Sequence, residues 1–237
     1  MKAILTGHTR GIGAAIATNL LARKIPVLGL ARGSLPDAGL LVQRELDLAD
    51  PAALLAWLSG PQLGEFIDGC KTVLLINNAG TVQPVGPLAL QNGAAIARAV
   101  SLNVTAPLLL ANALELACPQ AVERRILHVS SGAGRSAYPG WSVYCATKAA
   151  LDMHASAVQL DHNTNLKICS LAPGIIDTDM QAEIRASSLA QFPLRERFEQ
   201  LKQDGALASA ADCAQGLVDY LLSPAFGARA VADVREV

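Results

Sequence analysis

Residues 1–13 read Met1-Lys2-Ala3-Ile4-Leu5-Thr6-Gly7-His8-Thr9-Arg10-Gly11-Ile12-Gly13, a short apolar run that enters a glycine-rich turn. Lys2–Thr6 is apolar almost throughout, the pattern of a strand covered on both faces. The turn then opens into Ala-, Ile- and Leu-rich sequence with helical spacing. Glycine suits such a junction for two reasons. A tight turn needs positive φ, and a backbone that approaches a pyrophosphate has no room for a Cβ. The helix that follows offers free N–H groups and the positive end of its dipole. The spacing GxxxGxG is a variant of the dinucleotide fingerprint GxGxxG, which makes Gly7, Thr9, Arg10, Gly11, Ile12 and Gly13 candidate phosphate contacts. A glycine turn without a ligand is the competing reading.

Outward from this turn, short β-branched or apolar runs alternate with longer Ala/Leu-rich ones. The pattern predicts strands over Lys2–Thr6, Pro26–Leu30, Leu41–Leu46, Thr72–Ile76, Arg125–Val129, Lys167–Leu171 and Ala230–Val234. It predicts helices over Gly11–Arg23, Pro51–Leu58, Gly93–Ala117, Ser142–Leu160 and Ser209–Leu222. Such alternation argues for an α/β fold: one Rossmann-like, doubly wound parallel sheet with helices on both faces and right-handed crossovers. Pro36 and Gly39 leave the connection between the second and third strands as a loop. No repeat or linker interrupts the chain, so residues 1–237 read as a single domain. Residues 174–208 read as polar-faced helices inserted before the last strand, where such connections commonly cover a ligand.

The composition narrows the function. Of 237 residues, 51% are hydrophobic and 16% charged, which excludes a disordered chain. Nineteen basic and twenty acidic residues give a net charge of −1, and aromatic residues make up 4%. Neither a cationic field for nucleic acid nor a base-stacking platform is present. No uninterrupted apolar run of about 18 residues appears, so no membrane partner is expected and a cytoplasmic protein is the default. Five separated cysteines suggest reduced, mostly buried thiols, with Cys145 in a packing role. The four histidines lack metal-ligand spacing. His8 is expected at the solvent face of its turn, and His154 and His162 on helix surface.

Two further features point to chemistry. The adenine-ribose site of a dinucleotide fold lies near the end of the second strand, where a carboxylate would bond the 2′-hydroxyl. This chain has Ala31 and Arg32 there, with Arg10 in the glycine turn. Two guanidinium groups at about 1.5–3 kcal/mol per charge-assisted bond favour NADP(H) over NAD(H). The second feature is the run Ser130-Ser131-Gly132-Ala133-Gly134 followed by Tyr144-Cys145-Ala146-Thr147-Lys148. Tyr144 and Lys148, four apart, share a helix face. An ammonium beside a phenol lowers its pKa from about 10, and Ser131 at a strand end can hydrogen-bond a carbonyl. Together they make a plausible acid/base site for carbonyl reduction.

With these motifs in order the chain resembles the short-chain dehydrogenase/reductase family over essentially its whole length. The carriers are Thr6-Gly7-x-x-x-Gly11-Ile12-Gly13, Asp47, Asn77-Asn78-Ala79-Gly80, Asn103, Ser131, Tyr144, Lys148 and Pro173-Gly174. Within the family, Gly140-Trp141 before Tyr144-Cys145, then Asp152-Met153 and Asp177-Thr178-Asp179-Met180-Gln181, are similar to the sepiapterin reductases and bacterial benzil reductases. The resemblance implies a sheet of order 3-2-1-4-5-6-7 and an NADPH-dependent reductase of ketones or diketones. It implies that Tyr144 donates the proton, Ser131 polarises the carbonyl, Lys148 bonds the nicotinamide ribose, and Asn103 holds a relay water. Asp47, Leu48, Asn78, Ala79 and Gly80 would line the adenosine side, and Pro173, Gly174, Ile176 and Thr178 the nicotinamide side. It further implies a homodimer through the long helices that begin at Gly93 and Ser142. Glu236 aligns near the C-terminal acidic residue that anchors a pterin in sepiapterin reductases.

Tyr138, Pro139 and Trp141 either wall the substrate pocket or pack their own loop. Gln181, Met180 and Phe192 read as a lid over substrate, and Arg195 to Lys202 as a solvated helix face. A silent NADP(H)-binding regulator and a tailoring ketoreductase of a biosynthetic pathway are the alternative readings.

Overall fold

The computed structural model describes residues 1–37, 39–119 and 122–237. Strand β1 (Lys2–Thr6) leads into α1 (Gly11–Ala22), and β2 (Val27–Ala31) is joined to β3 (Leu41–Glu45) without an intervening helix among the described residues. Next come α2 (Pro51–Leu58), α3 (Gln62–Ile67), β4 (Thr72–Asn77), α4 (Gly93–Val100), α5 (Ala106–Ala117) and β5 (Glu123–Val129). The remaining elements are α6 (Ser142–Gln159), β6 (Leu166–Ala172), α7 (Asp179–Ala186), α8 (Arg195–Gln203), α9 (Ala210–Leu222) and β7 (Val231–Asp233). The seven strands form one parallel sheet of order β3-β2-β1-β4-β5-β6-β7.

Alternate strand residues feed two cores. Ala3, Leu5, Leu74 and Ile76 pack with Ile16 and Leu20 of α1 and Leu217 and Leu221 of α9. Ile4, Val73 and Leu75 turn the other way, onto Leu54 of α2, Leu63 of α3, Leu110 and Leu114 of α5 and Ala155 of α6. Burial on both faces explains why the strands read as continuous apolar runs. Side-chain caps start several helices: Asp50 accepts from the N–H groups of Ala52 and Ala53, Asn92 from Ala94 and Ala95, and Ser209 from Asp212.

Two elements differ from the sequence expectation. Helix α3 was not among the expected helices; burial of Leu63 and Ile67 holds it despite the weak propensity of Gly64. The long helix expected over Gly93–Ala117 is interrupted by a wide π-type turn at Ser101–Thr105. Pro107 has no N–H to offer the Asn103 carbonyl four residues back, and the wider turn absorbs the loss. The turn also directs Asn103 inward, where it is buried. By length and composition Gly93–Ala117 is apolar enough to cross a bilayer, at mean hydropathy 1.5, contrary to the expectation from uninterrupted runs. Leu110 and Leu114 pack it against the sheet as a core helix.

Leu74, with no exposed surface at the centre of the sheet, tests this packing. Leu74→Ala is expected to cost about 2–5 kcal/mol in urea unfolding with an unchanged denaturant slope.

Candidate active site at the carboxyl edge of the sheet

A cavity of about 1140 Å³ runs along the carboxyl ends of the strands. The glycine turn forms one side. Gly7 and Gly11 have φ of +69° and +53°, and a Cβ on Gly13 would lie 2.0 Å from the Gly7 carbonyl oxygen. Helix α1 can therefore sit against β1 only with glycine at position 13. The turn is laced to the end of β4: Thr6 Oγ1 accepts from the N–H groups of Asn78 and Ala79, each at 2.9 Å. In return Asn78 Nδ2 donates to the Thr6 and Gly7 carbonyls at 3.0 and 3.2 Å. The first turn of α1 has no side-chain cap and no acidic residue, so its N–H groups face the cavity unclaimed by side chains.

At the far end, Arg32 follows β2 and lies near Asp47, which is bonded to Arg98 of α4 at 2.8 Å. Burial opposes ionisation of Asp47, but the Arg98 hydrogen bond, the Ala49 N–H and the charges of Arg98 and Arg32 outweigh it. Its carboxyl is held below the usual range. Arg10 pairs with Asp179 at the start of α7 at 3.3 Å, both largely exposed.

Between these ends stand Ser131, Tyr144 and Lys148. Tyr144 and Lys148 project from one face of α6, with the Lys148 Nζ 5.7 Å from the Tyr144 ring centre. Lys148 Nζ donates to the Val129 carbonyl at 2.8 Å. Ser131 stands beside the Tyr144 phenol, and both border the cavity. Asn103 lies behind the cavity wall: its amide donates to the Thr81 carbonyl and to Thr147 Oγ1, and its oxygen accepts from the Thr81 N–H. A Cβ on Gly80 would come 3.4 Å from Asn103 Oδ1 and 3.7 Å from Lys148 Nζ, so Gly80 lies against both side chains.

The expected acidification of Tyr144 by Lys148 is not what the structure shows. Burial pushes the phenol up to about 12, against the opposing Ser131 hydrogen bond. Burial also pushes the Lys148 amine down to about 8, with Asp152 opposing. For both groups desolvation favours the neutral form.

The wall beyond Tyr144 is aromatic. Trp141 stacks on Phe192 at 4.7 Å and meets Tyr138, Tyr144 and Phe198 at 5.3–5.5 Å between ring centres. Val82, Ile184 and Phe198 join this small core. Tyr138 and Trp141 thus do both of the things the sequence left open, packing their loop and lining the cavity.

The sequence profile of the family described as short chain dehydrogenase matches residues 64–189, more than half of the chain. A benzil reductase ((S)-benzoin forming) of Bacillus cereus is 32% identical over 94% of this chain and 94% of its own. The chain belongs to the short-chain dehydrogenase family. A sepiapterin reductase of Meriones unguiculatus is 30% identical over 97% of this chain and 94% of its own. The crystal structure of a family member from Burkholderia vietnamiensis is 50% identical, with TM-score 0.72, over 100% of this chain and 97% of that one. The chain is therefore an oxidoreductase of a family that binds a nicotinamide cofactor. The uncapped start of α1 beside positive-φ glycines fits its pyrophosphate.

Family membership gives the other expected residues a common frame. Gly7, Thr9, Arg10, Gly11, Ile12, Gly13, Arg32, Asp47, Leu48, Asn78, Ala79, Gly80, Pro173, Gly174, Ile176 and Thr178 all border the cavity, as do Trp141 and Gln181. Glu236 does not: it is exposed, 4.0 Å from Arg229, and the C-terminal side chains at the cavity are Asp233 and Arg235. Arg98 also borders the cavity and escaped sequence reading, because a lone arginine in an apolar helix carries no signal. His8 is fully buried, not solvent-facing, with Nε2 2.9 Å from Gln43 Oε1 and its ring over Gly29. His154 is half-buried against His128, Nδ1 to Nε2 at 3.0 Å. Cys145 is half-buried, with Sγ 3.8 Å from the Ser136 carbonyl.

Gly13→Ala is expected to abolish NADPH binding, read by cofactor fluorescence, and to lower the melting temperature. Gly64→Ala in α3, where a Cβ meets nothing within 4 Å, is the contrasting case. It should leave binding intact and add about 0.5–1 kcal/mol of stability.

Proposed function

We propose that this protein is an NADPH-dependent carbonyl reductase acting on an aryl ketone or diketone. The observation that carries the reading is the convergence of Ser131, Tyr144 and Lys148 on one aromatic-walled stretch of the cavity. A nicotinamide cofactor held along the cavity by the glycine turn and Lys148 would supply the hydride for the carbonyl carbon. Ser131 donates a hydrogen bond to the carbonyl oxygen and orients it. Tyr144, kept protonated by burial, gives its proton to the same oxygen as negative charge develops there. Lys148 offsets the charge left on Tyr144 and bonds the ribose. Asn103 would hold a water that returns the proton from solvent. The side chains beyond Tyr144, Trp141 and Phe198 among them, suit a flat aromatic group. They agree with the substrates named for the benzil and sepiapterin reductases. With Glu236 outside the cavity, a diketone fits this wall better than an anchored pterin. Arg32 and Arg10 favour the 2′-phosphate. The exposed apolar residues Val100, Leu116 and Met153 on α4, α5 and α6 support a homodimer.

Two measurements test this. Tyr144→Phe should lower the rate of NADPH oxidation with benzil by about 10²–10⁴-fold while leaving NADPH binding within a few-fold. Full activity in that variant would remove the mechanism. Arg32→Ala should lower the ratio of NADPH to NADH efficiency by about tenfold or more, one charge-assisted bond's worth. An unchanged ratio would mean that Arg32 does not read the 2′-phosphate.

A further inference from the structure

Val129 and Ser130, where β5 ends, are fastened in succession to one face of α6, and Ser131 follows beside Tyr144 on the same face. Lys148 Nζ donates to the Val129 carbonyl at 2.8 Å and Ser130 Oγ donates to Asp152 Oδ1 at 2.7 Å, while Ser131 acts on the Tyr144 phenol against the effect of burial. The three helix residues are four apart, so they lie on a single stripe. Asp152 is the one member that the reduction step does not use. Its carboxylate is buried, at 8% exposure. It also accepts from Ser170 Oγ of β6 at 2.6 Å and pairs with Arg135 Nε at 3.1 Å. Arg135 in turn donates to the Ala232 carbonyl of β7 at 2.9 Å. A Cβ on Gly134 would meet Asp152 Oδ2 at 3.0 Å and the Lys148 backbone at the same distance, so glycine lets this turn close over both.

We propose that Asp152 is a positioning residue of the reductase centre: its carboxylate is the counter-ion that keeps Lys148 charged, and it fixes the Ser130–Ser131 turn beneath the substrate carbonyl. The proposal rests on the reading of Lys148 as part of that centre. A buried ammonium bonded only to a neutral carbonyl tends to lose its proton, and a carboxylate one helical turn away opposes that loss. The charged and titratable groups around Lys148 are few. On α6 they are Tyr144, held protonated, and Asp152. From β5 comes His128, which burial, then His154 and Lys148, push down to about 3, so it stays neutral. Arg135 stands on the turn after β5, with Asp233 of β7 beyond it. Asp152 is thus the negative charge that acts on Lys148, and Arg135 is the cation that competes for it.

The test follows Lys148 directly, by NMR of protein carrying 13C-labelled lysine, alongside the pH profile of kcat/KM with NADPH and benzil. Asp152→Asn keeps the volume and removes the charge. The Lys148 titration and the alkaline limb of the profile are both expected to move to lower pH by about one unit or more. At pH 6, where Lys148 keeps its proton, kcat should stay within a few-fold of the parent. Asp152→Glu should restore the limb. Arg135→Gln, at a half-exposed site, removes the competing cation and should move both readouts to higher pH. If Asp152→Asn does not fold, this opposite shift carries the test. An unmoved Lys148 titration in a folded Asp152→Asn protein, with the rate lost equally at every pH, would overturn the proposal. So would Arg135→Gln without an upward shift. A Lys148 titration that moves as expected in a protein that reduces no carbonyl would uphold the counter-ion and remove the reductase reading instead.

Discussion

At the carboxyl edge of a sheet covered on both faces, strand pairing stops while the chain is still buried. Each N–H and C=O released there needs a partner, because a buried polar group left without one costs about 1–3 kcal/mol. The chain answers with short polar side chains: Thr6 and Asn78 close the gap between β1 and β4, Asn103 clasps both polar groups of Thr81, and Lys148 takes the Val129 carbonyl. These residues are therefore structural before they are chemical. The cavity lies along this edge, and two of these residues, Asn78 and Lys148, also border it.

The same dryness sets the chemistry. Burial drives Tyr144 and Lys148 toward their neutral forms, the phenol up and the amine down. A phenol held protonated is a competent donor. An amine with a value near 8 is charged at neutral pH by a narrow margin, so its surroundings decide its state. On this reading the pair is not a self-sufficient ion pair; it depends on neighbours that hold charge and geometry together. The ladder of Tyr144, Lys148 and Asp152 along α6 does both at once, since Lys148 and Asp152 grip Val129 and Ser130 and Tyr144 stands beside Ser131.

Much of this was legible in the residues. All seven strands fall within two residues of their expected limits, since apolar runs bounded by glycine and proline are strong punctuation. The glycine turn and the Tyr144/Lys148 spacing were equally readable, being local in sequence. What was not legible is what depends on distant partners. His8 is buried because β2 offers Gly29 beneath it and β3 offers Gln43, and neither is a neighbour in sequence. The π-type turn needed Pro107 to be read as a missing donor within the helix expected over Gly93–Ala117. Arg98 and Arg135 carry no motif, and Asp152 stood out only within Asp152-Met153, with no role attached; only the fold brings each to its partner. Lys148 acidifying Tyr144 followed from proximity alone and left out desolvation, which is the larger effect in a buried site.

The arginines at the cofactor end show how exposure separates holding from binding. Arg10 is paired with Asp179 and Arg98 with Asp47, and the four side chains range from 37% to 71% exposed. Such surface pairs contribute roughly 0–1 kcal/mol, whereas a charge-assisted bond to a bound anion is worth about 1.5–3 kcal/mol. A phosphate arriving at Arg10 would therefore displace the carboxylate with free energy to spare. Until then the pair keeps the guanidinium near the start of α7. Asp47 is different, since its carboxyl is held well ionised by two arginines and a backbone N–H and gains little by exchanging them. Arg10 and Arg32 both border the cavity, and Arg98 ties α4 to Asp47 along the same wall.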